Sequence, residues 1–63
     1  MKEGTVKWFD VKEGYGFIQQ DSGRSIYVYT KEIIGRLLQE GDRVTFSVSE
    51  GIRGPTAKGV TSN

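Results

Sequence analysis

The chain has 63 residues and 35% of them are hydrophobic, which is room for one small domain with one compact core. It has no cysteine and no histidine, so disulfides, thiolate zinc sites, thiol nucleophiles and the commonest general base are all excluded. A binding module is therefore expected rather than an enzyme. Nine Lys and Arg against eight Asp and Glu leave a net charge of +1, so bulk charge would supply little of any affinity for a polyanion.

The opening Met1-Lys2-Glu3-Gly4 is charged and has no signal-peptide character. The first expected strand runs from Gly4 to Asp10, followed by a turn through Val11-Lys12-Glu13-Gly14. The second spans Tyr15 to Gln20 and ends at Asp21-Ser22-Gly23-Arg24, a cluster of turn formers. The third spans Ser25 to Thr30 and holds the longest apolar run, Ile26-Tyr27-Val28-Tyr29, far too short to cross a membrane. In Lys31 to Glu40 the residues Ile33, Ile34, Leu37 and Leu38 recur at helical spacing, with Thr30 as a start and Gly41 as an end. Gly35 weakens that pattern, so a turn of helix and then an irregular stretch is expected, its apolar side plugging an open end of a barrel. The fourth strand runs from Asp42 to Glu50 and the fifth from Pro55 to Thr61. The whole reads as one all-β domain over residues 1–63.

Alternation assigns the faces. Val44, Phe46 and Val48 share one side of the fourth strand, opposite Arg43, Thr45, Ser47 and Ser49. In the second and third strands Ile18, Ile26 and Val28 lie on one side, and Tyr15, Phe17, Tyr27 and Tyr29 on the other. That second side is aromatic where a solvated face would be polar. Trp8 extends it only if a bulge in the first strand turns it away from Val6. A single ring in a small barrel is as readily core as surface. Four on one face are harder to bury, because Ile18, Ile26, Val28, Val44, Phe46 and Val48 already fill the core. Flat rings with Lys7, Lys12, Arg24 and Lys31 around them suit single-stranded nucleic acid, since every base has a π-face to stack. Gly14 and Gly16 flank Tyr15 and would let a base and its sugar approach. A small SH3-like barrel gripping a proline-rich peptide with the same rings is the alternative.

Four segments carry a family likeness. Gly4-Thr5-Val6-Lys7-Trp8-Phe9-Asp10, Gly14-Tyr15-Gly16-Phe17-Ile18, Ile26-Tyr27-Val28-Tyr29 and Gly51-Ile52-Arg53-Gly54-Pro55-Thr56-Ala57 resemble, in order, motifs of the bacterial-type cold-shock domain. The resemblance implies a five-stranded antiparallel Greek-key barrel, the OB-fold, that binds single-stranded RNA and DNA and often acts as an RNA chaperone. On that reading Trp8, Tyr15, Phe17, Tyr27 and Tyr29 stack on bases, with Phe9 at their edge. Lys7 serves phosphates or a base edge, and Lys12 and Arg53 are further contacts. No cofactor or metal is implied, and the expected setting is the cytoplasm. Flexible pyrimidine-rich strands are the expected ligands.

The chain also departs from the family pattern. Glu13 stands where lysine is usual, Tyr29 replaces a histidine and Thr30 replaces a phenylalanine. The connection after Thr30 is about three residues short and lacks an aromatic residue, with Leu38 matching a core leucine. These changes imply weaker binding or a shorter footprint. The short connection also opens a route to a domain-swapped dimer beside the expected monomer.

Overall fold

The computed structural model describes residues 1–62. Strands β1 (Lys2–Asp10), β2 (Tyr15–Gln20), β3 (Ser25–Tyr29), β4 (Arg43–Gly51) and β5 (Gly54–Ser62) close into a barrel in the order β1-β2-β3-β5-β4. The expected Greek-key barrel is present, antiparallel at every seam but one. A closed ring of five strands cannot alternate direction all the way round, so one seam has to be parallel. It falls between β3 and β5, where Tyr27 pairs with Thr56.

Local chemistry shapes the connections. The Asp10 carboxylate accepts the backbone N–H groups of Lys12 and Glu13 at 3.0 and 3.1 Å, which folds the chain over into β2. That turn ends at Gly14, whose φ of +81° a side chain would resist. Between β3 and β4 a single 3-10 turn, Thr30–Glu32, replaces the expected helical turn, and Thr30 makes no side-chain cap. Ile33 then pairs with Val60 of β5, and the Ile34 N–H donates to the Val60 carbonyl at 2.7 Å. Pinning Ile33 into an extended bridge is what prevents its helical partners from forming a helix. Of the apolar residues at helical spacing, Leu38 enters the core and Ile33 packs against it, while Ile34 and Leu37 face solvent. Only half of the expected plug is used.

The core comprises Val6, Ile18, Ile26, Val28, Leu38, Val44, Phe46, Ala57 and Val60. Val48, expected among them, is 37% exposed. The cause lies in strand lengths. β1 begins at Lys2, which pairs with Phe46, so beyond Phe46 only β5 flanks β4 and the hairpin outruns the barrel.

Candidate nucleic-acid interface

The aromatic surface depends on a bulge in β1. Val6 pairs with Ile18 of β2, but Trp8 pairs with Phe17, so Lys7 is an extra residue and the alternation shifts there. Val6 stays in the core at 1% exposure, whereas Trp8 turns outward at 42%. The β2–β3 register sets Tyr15 opposite Tyr29 and Phe17 opposite Tyr27. Period-2 alternation then leaves all four rings outside and Ile18, Ile26 and Val28 inside.

The rings form one connected surface. Phe17 lies 4.9 Å from Tyr27 and 6.0 Å from Trp8, and Trp8 meets Tyr15 edge-on at 5.4 Å. Tyr15 lies 6.5 Å from Tyr29, and Tyr27 and Tyr29 stand 6.2 Å apart with ring planes only 12° from parallel. These contacts support the rings laterally while each remains partly exposed. Gly16 has a different purpose from the one read in the sequence. It is buried under β1, and a Cβ there would run into the Trp8 carbonyl and come within 2.7 Å of the Phe9 ring. Its lack of a side chain lets β1 and β2 close beneath Trp8; it does not clear a path for ligand.

Phe9 stands apart from the other rings. It is half-buried and packs against the core, and alternation past the bulge sets it on the side of β1 opposite Trp8. The bulge that turns Trp8 outward necessarily turns the next residue inward. Lys7 is exposed beside the rings, and its Nζ donates to the Ser25 hydroxyl at 3.4 Å. Lys7, Trp8, Tyr15, Phe17 and Ser25 line an open cleft of about 580 Å³. Lys12 is exposed in the β1–β2 turn. Arg53 is remote from Lys7, at the tip of the β4–β5 hairpin, where it shares a second cleft of about 530 Å³ with Tyr29, Lys31, Glu50 and Lys58. Tyr29 thus belongs to both the ring surface and this charged cleft. Lys31, read in the sequence as one of the cations around the rings, lies here next to Tyr29, whereas Lys58 has no signal in the sequence because only the folding of the hairpin against the 3-10 turn brings it close. Lys58 is already engaged by Glu32 at 3.8 Å.

A charged cluster lies across β4, β1 and the β2–β3 turn. Arg43 grips the Asp21 carboxylate with two hydrogen bonds, 2.7 and 2.6 Å long, and also bonds Thr5 at 2.8 Å. The hydrogen bond from Arg43 holds the Asp21 carboxyl below the usual aspartate range, and the same contact raises the Arg43 guanidinium. Arg43 is therefore largely neutralised where it stands and is no free phosphate ligand.

Residues 2–63 match the family model described as the 'Cold-shock' DNA-binding domain. The chain belongs to the cold-shock domain family. This cold-shock domain is 41% identical to cold shock-like protein CspD of Bacillus cereus over 66 positions, covering 100% of both chains. It is 44% identical to cold shock-like protein CspLB of Listeria monocytogenes, covering 97% of each chain. Identity is also 44% to cold shock-like protein CspA of Vibrio cholerae, over 94% of this chain and 90% of that one. A solved structure, drosophila Unr CSD456, superimposes with a TM-score of 0.82 over 98% of this chain. The cold-shock domain spans 26% of that longer chain, and at 20% identity the likeness establishes the fold alone. Membership places the protein among nucleic-acid-binding domains. Among the described residues, no helix is long and apolar enough to cross a membrane.

Proposed function

We propose that this cold-shock domain binds single-stranded RNA and DNA by stacking bases on Trp8, Tyr15, Phe17, Tyr27 and Tyr29. The observation that carries the reading is the continuity of these five partly exposed rings on one side of the sheet, with an aliphatic core on the other. Stacking contributes about 1–3 kcal/mol per base and tolerates any sequence. Flexible pyrimidine-rich strands unstack most cheaply and are the favoured ligands. Lys7, Lys12 and Arg53 contribute charge contacts along the path, with the partly exposed Phe9 at its edge.

Acting as a chaperone in the cytoplasm, the domain would hold single strands and so lower the population of RNA hairpins, with no cofactor and no nucleotide hydrolysis. It works as a monomer in dilute solution, all of residues 1–63 forming one binding unit. The test is a titration of Trp8 fluorescence with oligothymidine, with a duplex and a polyproline peptide as controls. Saturable quenching by the single strand alone is expected. Equal or stronger binding of the peptide would overturn the reading, and light scattering of a stable dimer at low micromolar concentration would overturn the monomer.

A further inference from the structure

The β4–β5 hairpin ends in a tip that the barrel does not use. Among the described residues, its last two rungs, Glu50–Pro55 and Gly51–Gly54, pair only with each other, since β1 leaves β4 at Phe46 and β3 meets β5 at Thr56. The tip is nevertheless stiff. Gly54 takes a φ of +110°, Pro55 has a fixed φ, and the Thr56 hydroxyl donates to the Gly54 carbonyl at 3.1 Å. These residues set the turn, so Ile52 and Arg53 at its apex are not needed for it. A two-residue connection favours asparagine, aspartate or glycine, and a β-branched apolar residue beside a cation is an unusual choice there. Ile52 is fully exposed. With Tyr29, Lys31 and Arg53 it lines the cleft of about 530 Å³ that adjoins the ring surface. Of the charges in that cleft Lys58 is engaged by Glu32, which leaves Lys31 and Arg53 against Glu50.

We propose that this tip reads the junction between a single strand and a duplex. With a strand stacked on the rings as far as Tyr29, a paired segment that follows it meets the hairpin tip. There Ile52 packs on the open face of the first base pair, and Arg53 faces a phosphate of the duplex. An end base pair presents a flat apolar face to water, which a stiff apolar knob can cover; apolar side chains act in the same way when they wedge against base steps. This rests on the stacking reading above and adds a second ligand feature, a duplex end next to the bound strand. A domain built this way is directed to the foot of a hairpin stem rather than spread evenly over all single strands.

The experiment compares a short oligouridine, free in solution, with the same oligouridine attached as a 5′ or a 3′ overhang to a stable stem-loop, read by Trp8 fluorescence. In one of the two polarities the overhang is expected to bind about three- to tenfold more tightly than the free strand, the effect of covering roughly half of one exposed isoleucine. Ile52→Ser should bring the overhang down to the level of the free strand and leave the affinity for free oligouridine unchanged, with circular dichroism reporting the fold. Separating strand from stem by a flexible uncharged linker should abolish the gain in the wild-type protein as well. No gain in either polarity would overturn the proposal while leaving stacking intact. So would a gain that survives Ile52→Ser, which marks attraction to the charge of the duplex alone, or an Ile52→Ser variant that weakens free and attached strands by the same factor. Absence of binding to any single strand would instead overturn the stacking reading itself.

Discussion

Strands β2 and β3 present two faces built on opposite principles. Inward, Ile18, Ile26 and Val28 are at most 2% exposed, sealed by Val6, Phe46 and Val60 from the other strands. Outward, Tyr15, Phe17, Tyr27 and Tyr29 touch one another but have no covering layer. Burial explains the first face completely. It does not explain the second, since a solvated sheet face folds equally well with threonine or lysine. Large rings left partly in water, where the core has no use for them, are therefore the feature that points to a ligand.

The comparison breaks most visibly at the core. Ile18→Ala should cost about 2–5 kcal/mol by leaving a cavity, a large part of the roughly 3–9 kcal/mol that holds a chain this size folded. Thermal or urea denaturation would read it, and any loss of binding should track the unfolded fraction. Phe17→Ala and Tyr27→Ala, on the adjacent face, should each weaken single-strand binding by about 1–3 kcal/mol while denaturation changes little. If Phe17→Ala unfolded the protein and Ile18→Ala lost only binding, the two faces would be assigned the wrong way round.

A subtler probe separates stacking from charge. With so little net charge and Glu13 exposed in the β1–β2 turn, the log–log salt dependence of affinity should be shallow. Each phosphate neutralised contributes about −0.7 to that slope. Glu13→Lys should tighten binding by about 0.2–1 kcal/mol, an exposed-charge effect, and steepen the slope by about one phosphate. An unchanged slope across a salt series would place the turn off the backbone path.

The smallest effect concerns neither face. Asp21 titrates below the usual aspartate range because Arg43 bonds its charged form. A lowered folded-state value means that the pairing stabilises the fold above the unfolded-state value and is lost as pH falls through the folded-state one. Wild type should therefore lose slightly more stability on acidification than Asp21→Asn. Identical acid profiles would show that water screens the pair completely.

Much of this was legible in sequence because strands with one buried side write a period of two, and turn formers mark their ends. The bulge was legible for the same reason: Val6 and Trp8 could not both face inward if Trp8 belonged with the other rings. Where reading failed, the missing information was non-local. Ile33, Ile34, Leu37 and Leu38 do have helical spacing, but a bridge to Val60 at the far end of the chain overrides it. Val48 alternates as a core residue should, yet strand length, set by where β1 starts, exposes it. Gly16 was read as clearance for a ligand when the clearance serves the backbone of β1.

The parallel seam has a consequence for motion. Among the described residues, β3 and β5 pair where Tyr27 meets Thr56, with Ile33 and Val60 pairing farther along, whereas the other seams carry longer ladders. This seam also brings together segments distant along the chain, so its closure entropy is recovered by few bonds. Amide protons along it should exchange sooner than those of the β1–β2 ladder. Tyr27 sits at once on this joint and in the ring surface. A strand seated across Tyr27 would thus act as a clasp, slowing the opening of the barrel at the place where it closes least firmly.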